Sequence, residues 1–124
     1  MGYRSQVVFA IAPEIMGKFM AVLAKHSDAR VLCFEDADTT IKDYIDEGSR
    51  LMKWDDIKWY EGYPEIDALD EFMDWADSTE IEIDGVEQNA DQFYRFVRIG
   101  EEMDDVTIRG DAYWDINVRR EVCY

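Results

Sequence analysis

Apolar residues recur along the chain with two different periods, and the switches between them divide it into elements. Residues 5–11 (Ser-Gln-Val-Val-Phe-Ala-Ile) form a short run rich in β-branched and aromatic side chains, which predicts a buried strand. Pro13 suits the first turn of a helix, where its missing N–H is no loss. Ile15, Met16, Phe19, Met20 and Leu23 then follow at helical spacing, with Lys18 and Lys25 between them, so a helix is expected over 13–26. The apolar run 31–34 predicts a second short strand. Asp38 or Thr39 is a candidate cap for a short helix through Ile41, Tyr44 and Ile45, stopped by Gly48.

Residues 50–60 read as a long strand carrying Leu51, Met52 and Trp54 before the adjacent Asp55 and Asp56, and Ile57 and Trp59 after them. Two neighbouring aspartates are disfavoured in a regular strand, so a bulge or a hairpin turn is expected there. The clearest helix opens at Pro64 and carries one apolar stripe of Ile66, Leu69, Phe72, Met73 and Ala76. Ile81 and Ile83 alternate with acids before Asp84-Gly85, the signal of a tight hairpin. Strands are expected over 93–99 and over 113–124. The resulting order predicts a single domain over 1–124 of the α+β class. Its sheet is mostly antiparallel with helices on one face: a ferredoxin-like core plus an extra C-terminal strand.

Charge changes this picture more than size does. Apolar and aromatic residues make up 48% of the chain, too many for a disordered one despite a net charge of −16. The imbalance is local: residues 1–34 sum to +2 and residues 35–115 to −19. Twelve acidic residues and no Lys or Arg lie between Trp59 and Tyr94. Such a segment repels nucleic acid and anionic membranes and attracts basic surfaces, so neither nucleic acid nor membrane is an expected direct partner. No apolar run is long enough to span a bilayer, and the first residues lack the pattern of a secretory signal.

On the helix after Pro64, Asp67, Asp70, Glu71, Asp74 and Asp77 occupy the surface left by the apolar stripe. Neighbours three and four apart lie roughly 5–6 Å from each other. The row therefore approaches the dense charge line of duplex DNA. Asp84, Glu87 and Asp91 are candidates to extend it. Like charges at this spacing are unfavourable in isolation, and a basic groove on another protein would compensate.

The alternative candidate is a ligand pocket built from Trp54, Trp59, Tyr60, Arg95 and Arg98, of which Arg95 and Arg98 fall on opposite faces of one strand and suit internal ion pairs. Catalytic signatures are weak. His26 is the only histidine and sits at a helix end, Cys33 and Cys123 lack metal-type spacing, and the serines have no nucleophile-elbow context. The clusters Asp36, Asp38, Asp43 and Glu101, Glu102, Asp104, Asp105 lack the spacing of a calcium loop and read as solvated loops. No cofactor or metal is expected.

Several blocks stand out together: Met1-Gly2-Tyr3-Arg4-Ser5, Trp54-Asp55-Asp56-Ile57-Lys58-Trp59-Tyr60-Glu61, Phe96-Val97-Arg98-Ile99-Gly100-Glu101, Asp104-Asp105, and Val118-Arg119-Arg120-Glu121. As a set they resemble a family of small tailed-bacteriophage proteins. The resemblance implies a phage product acting in the cytoplasm of an infected bacterium and carries over no functional residues. With the charge, it points to an inhibitor of a host defence or nucleic-acid-handling enzyme, of anti-CRISPR or anti-restriction type, acting by DNA mimicry on a basic surface. The alternatives are a small-molecule or nucleotide sponge and a homo-oligomeric, for example dimeric, accessory protein.

Overall fold

The computed structural model describes residues 3–44, 47–102 and 104–112. Strand β1 (Ser5–Ile11) is followed by a 3-10 turn at Pro13–Ile15 and by helices α1 (Met16–Lys25) and α2 (Ser27–Phe34). Strands β2 (Thr39–Lys42) and β3 (Arg50–Ile57) lead to helix α3 (Pro64–Ser78). The hairpin β4 (Glu80–Ile83) and β5 (Val86–Asn89) comes next, then a 3-10 turn at Ala90–Phe93, β6 (Tyr94–Ile99) and β7 (Val106–Arg109). The five-stranded sheet has the order β2-β3-β1-β6-β7, and every pairing in it is antiparallel. The class is α+β, as the sequence implied.

Alternation along β1 separates the two faces of the sheet. Val7, Phe9 and Ile11 point into the main core with Met52 and Trp54 of β3, Tyr94 and Phe96 of β6, and the apolar stripes of all three helices. Phe9 is its hub, with ring centroids 5.7–6.1 Å from Phe19, Phe72, Tyr94 and Phe96. Ala10, Leu51 and Val97 form a smaller cluster with Ala112 on the opposite face.

Two elements differ from their sequence reading. The run expected as a strand over 31–34 is the end of α2, in which Ala29, Leu32 and Cys33 are buried at helical spacing. The helix expected from Asp38 or Thr39 to Gly48 is instead the edge strand β2. Its Thr-Thr-Ile run is β-branched and pairs with Lys53, Met52 and Leu51. The chain leaves β2 through a turn in which Asp43 has φ 55° and Gly48 has φ 86°. Asp43 Oδ1 accepts a bond from Gly48 N–H at 2.7 Å.

The Asp55–Asp56 pair does mark a bulge. Ser5 pairs with Ile57 and Val7 with Trp54, so β3 carries one residue more than β1 at that point. Both aspartates are exposed there, and the strand ends at Ile57 rather than running to 60. Asp84 and Gly85, with φ 51° and 80°, make the tight hairpin turn expected of them. The strand expected over 113–124 lies outside the described residues. The strand beside β6 is β7, which had no counterpart in the sequence reading.

Candidate functional site

Across the sheet, the row facing the helices runs Met52, Phe9, Phe96 and then Arg109 at the edge. Apolar side chains give way to a guanidinium where α3 lies over the sheet margin. Arg109 reaches three carboxylates of that helix: Asp77 at 2.7 Å, Asp74 at 2.8 Å and Asp70 at 3.7 Å. Burial opposes the Arg109 charge, but hydrogen bonds to Asp77 and Asp74 outweigh it and raise its affinity for the proton. Tyr94 completes the group by donating its hydroxyl to Asp77 Oδ1 at 2.6 Å. Burial, and then that bond, push the phenol well above the ordinary tyrosine range.

The rest of the predicted helical row is also engaged. Asp67 Oδ1 accepts from Gly62 N–H at 2.9 Å, and Glu71 lies 3.3 Å from His26 Nε2. These five carboxylates therefore do not stand as a ladder of free charges. One cation holds three of them, a backbone amide holds the fourth, and the chain's only histidine meets the fifth.

The hairpin differs. Glu80, Glu82, Asp84 and Glu87 are all exposed, and Glu82 stands directly opposite Glu87. Among the described residues, no Lys or Arg forms an ion pair with any of the four. The hairpin adjoins the C-terminal end of α3, where Asn89 Nδ2 donates to Asp77 O at 3.4 Å. Asp91 is half-buried in the 3-10 turn that follows the hairpin.

Beside Arg109 lies an open cavity of about 550 Å³ between the margin of the sheet and helix α3. Trp59, Ile66 and Phe96 supply its apolar lining; Trp59 and Phe96 lie 5.6 Å apart between centroids. Arg98 and Arg109 supply the positive charges, and Glu61, Asp70, Asp74 and Asp105 the negative ones. Arg98 is fixed by Asp105 at 2.6 Å and by Ser5 Oγ at 3.0 Å. Tyr3 donates to Asp105 Oδ2 at 2.6 Å and accepts from Glu102 N–H at 3.0 Å. The bond to Asp105 raises the Tyr3 hydroxyl above its ordinary value. Gly100 lies beneath this contact, where any Cβ would collide with the Asp105 carboxylate and the Tyr3 hydroxyl.

Of the alternative pocket residues, only Trp59 and Arg98 line this cavity. Trp54 is a core side chain, 1% exposed, whose indole N–H donates to Leu32 O at 3.2 Å. Tyr60 packs against Tyr63 at 5.4 Å. Arg95 points to the opposite face and donates to Gly110 O at 3.1 Å. Sequence reasoning missed Arg109, although it is the first cation after the two on β6 and shares the parity of Thr107. It also gave Tyr3 no role.

The remaining candidates have structural surroundings. Cys33 is fully buried and its thiol is pushed up to about 12, burial being the cause and Arg50 a lesser opposing influence, so it is a protonated thiol at neutral pH. Asp38 accepts from Asp55 N–H at 2.7 Å. Among the described residues, no group of three His, Cys, Asp or Glu side chains is placed to hold a metal ion, and no helix is long and apolar enough to cross a membrane. Cys123 lies outside the described residues. No protein-family model, curated protein or solved structure matches the chain.

Proposed function

We propose that this protein is an acidic phage-encoded inhibitor that binds the basic nucleic-acid-handling surface of a host defence or nucleic-acid enzyme in the bacterial cytoplasm. The observation that carries this reading is the uncompensated hairpin. Directly opposed like charges destabilise a strand pair, yet Glu82 faces Glu87 with Glu80 and Asp84 nearby and, among the described residues, no cation paired to any of them. A basic partner surface would offset that repulsion. Helix α3 adds to the same field, because the single charge of Arg109 is set against three carboxylates. The DNA-mimic version of the reading moves accordingly from the helical row to the helix end and the hairpin. The nucleotide-sponge alternative gains no support from the cavity, whose four carboxylates outnumber its two guanidiniums and repel phosphate.

Affinity capture from a bacterial lysate tests the proposal, using the native chain and a triple variant Glu80→Lys, Glu82→Lys, Glu87→Lys. These positions leave the Arg109 network intact. The expected result is a DNA- or RNA-handling enzyme retained at low salt, released at high salt and lost with the variant. Capture indifferent to both salt and charge reversal overturns the proposal.

A further inference from the structure

The cavity beside Arg109 gathers the sequence blocks that stood out separately. Tyr3 comes from the first, Trp59 and Glu61 from the second, Phe96 and Arg98 from the third, and Asp105 from the acidic pair that follows. The Tyr3–Asp105–Arg98 chain of bonds holds one wall in place, and the Asp74–Arg109 pair holds another. Its volume of about 550 Å³ falls within the roughly 300–1,000 Å³ of small-molecule sites.

We propose that this cavity is a binding site for a guanidinium group, stacked on Trp59 and neutralised by Glu61 at the rim. Charge selects the class of ligand. Four carboxylates against two guanidiniums leave a negative interior that favours a cation and disfavours a phosphate or carboxylate. Both arginines already have carboxylate partners, whereas Glu61 is exposed and, among the described residues, forms no ion pair. An apolar lining with an indole suits a planar, weakly hydrated cation over a compact ammonium. Beside the cavity one guanidinium is already held by carboxylates, since Arg109 spans Asp77 and Asp74 at 2.7 and 2.8 Å.

Guanidinium groups reach a protein as free small molecules or as the arginine side chain of a partner, and calorimetric titration of the intact protein separates the two. The probes are agmatine, N-acetyl-arginine amide and its neutral citrulline counterpart. Both guanidinium probes are expected to bind saturably at one site, with the citrulline compound weaker by about ten-fold or more. Agmatine carries a second positive charge, so an advantage over the capped arginine that persists at high salt identifies a free ligand; an advantage that salt abolishes, or tighter binding of the capped arginine, identifies a partner side chain. Glu61→Gln should weaken binding about three-fold or more without moving the melting temperature of the free protein, and Trp59→Phe, which also trims packing against Trp54 and Phe96, should weaken it by a similar factor. No saturation below about 10 mM, equal binding of the citrulline compound, or indifference to Glu61→Gln overturns the proposal. The titration involves no host enzyme and no hairpin residue, so its failure leaves the inhibitor reading standing, and the converse holds.

Discussion

Asp70 receives the weakest share of the Arg109 charge, at 3.7 Å against 2.8 and 2.7 Å for Asp74 and Asp77. Burial raises its pKa, Arg109 works against that rise, and the nearby Asp74, Asp67 and Glu61 add to it. A carboxyl whose folded pKa lies above its unfolded one holds its proton more tightly in the native state. It therefore lowers stability once pH climbs through that window, and the penalty persists at neutral pH. Asp70→Asn removes the penalty while Arg109 keeps its two closer partners. The substitution should raise the unfolding free energy at pH 7 by about 0.5 kcal/mol, the size of relieved i,i+3 and i,i+4 repulsion. The gain should shrink as pH falls toward the ordinary carboxylate range, where wild-type Asp70 is itself protonated. Urea titrations at pH 7 and pH 4.5 measure both values, and a gain that grows on acidification contradicts the assignment.

Among the elements, the hairpin sets stability against the proposed binding. Glu82→Lys turns the opposed Glu82–Glu87 pair into an attractive one and should stabilise the fold by about 0.5 kcal/mol, read from the thermal midpoint. The same change should weaken capture of the basic partner. A variant that gains stability and keeps full binding would place the interface elsewhere. This hairpin was legible in the sequence because Asp84-Gly85 dictates a turn type by local sterics. Helix α3 was legible because its stripe is long enough for the period to show. The errors fall on short elements. Four apolar residues at 31–34 carry no period by themselves; only Ala29 beyond the run reveals the helix. Strand β2 is exposed throughout, so burial leaves no mark on it and the turn residues after it resemble a helix stop. The site was legible in part for the same reason: α3 displays its acids locally, while Arg109 meets them only through tertiary folding across more than 30 residues.

For the molecule as a whole, charge is divided between its parts. The cations Lys18, Lys25, Arg30, Lys42, Arg50 and Lys53 belong to α1, α2 and the β2–β3 side of the sheet. Helix α3 and the hairpin carry none. A net charge of −16 makes the compact state repel itself, and salt screens that repulsion: the Debye length falls from about 30 Å at 0.01 M to about 3 Å at 1 M. Raising sodium chloride from 20 to 500 mM should therefore stabilise the free protein, on the order of 1 kcal/mol, or about 4 °C in melting temperature. Attraction to a basic partner is screened by the same ions, so affinity should fall over the range in which stability rises. Equimolar sucrose, which acts by exclusion rather than screening, should leave the affinity nearly unchanged and serves as the control. A melting temperature that stays flat or falls with salt would mean that the paired groups around Arg109 and Arg98 outweigh the net charge. The acidic surface would then be internally compensated, and the physical reason for seeking a basic partner would be gone.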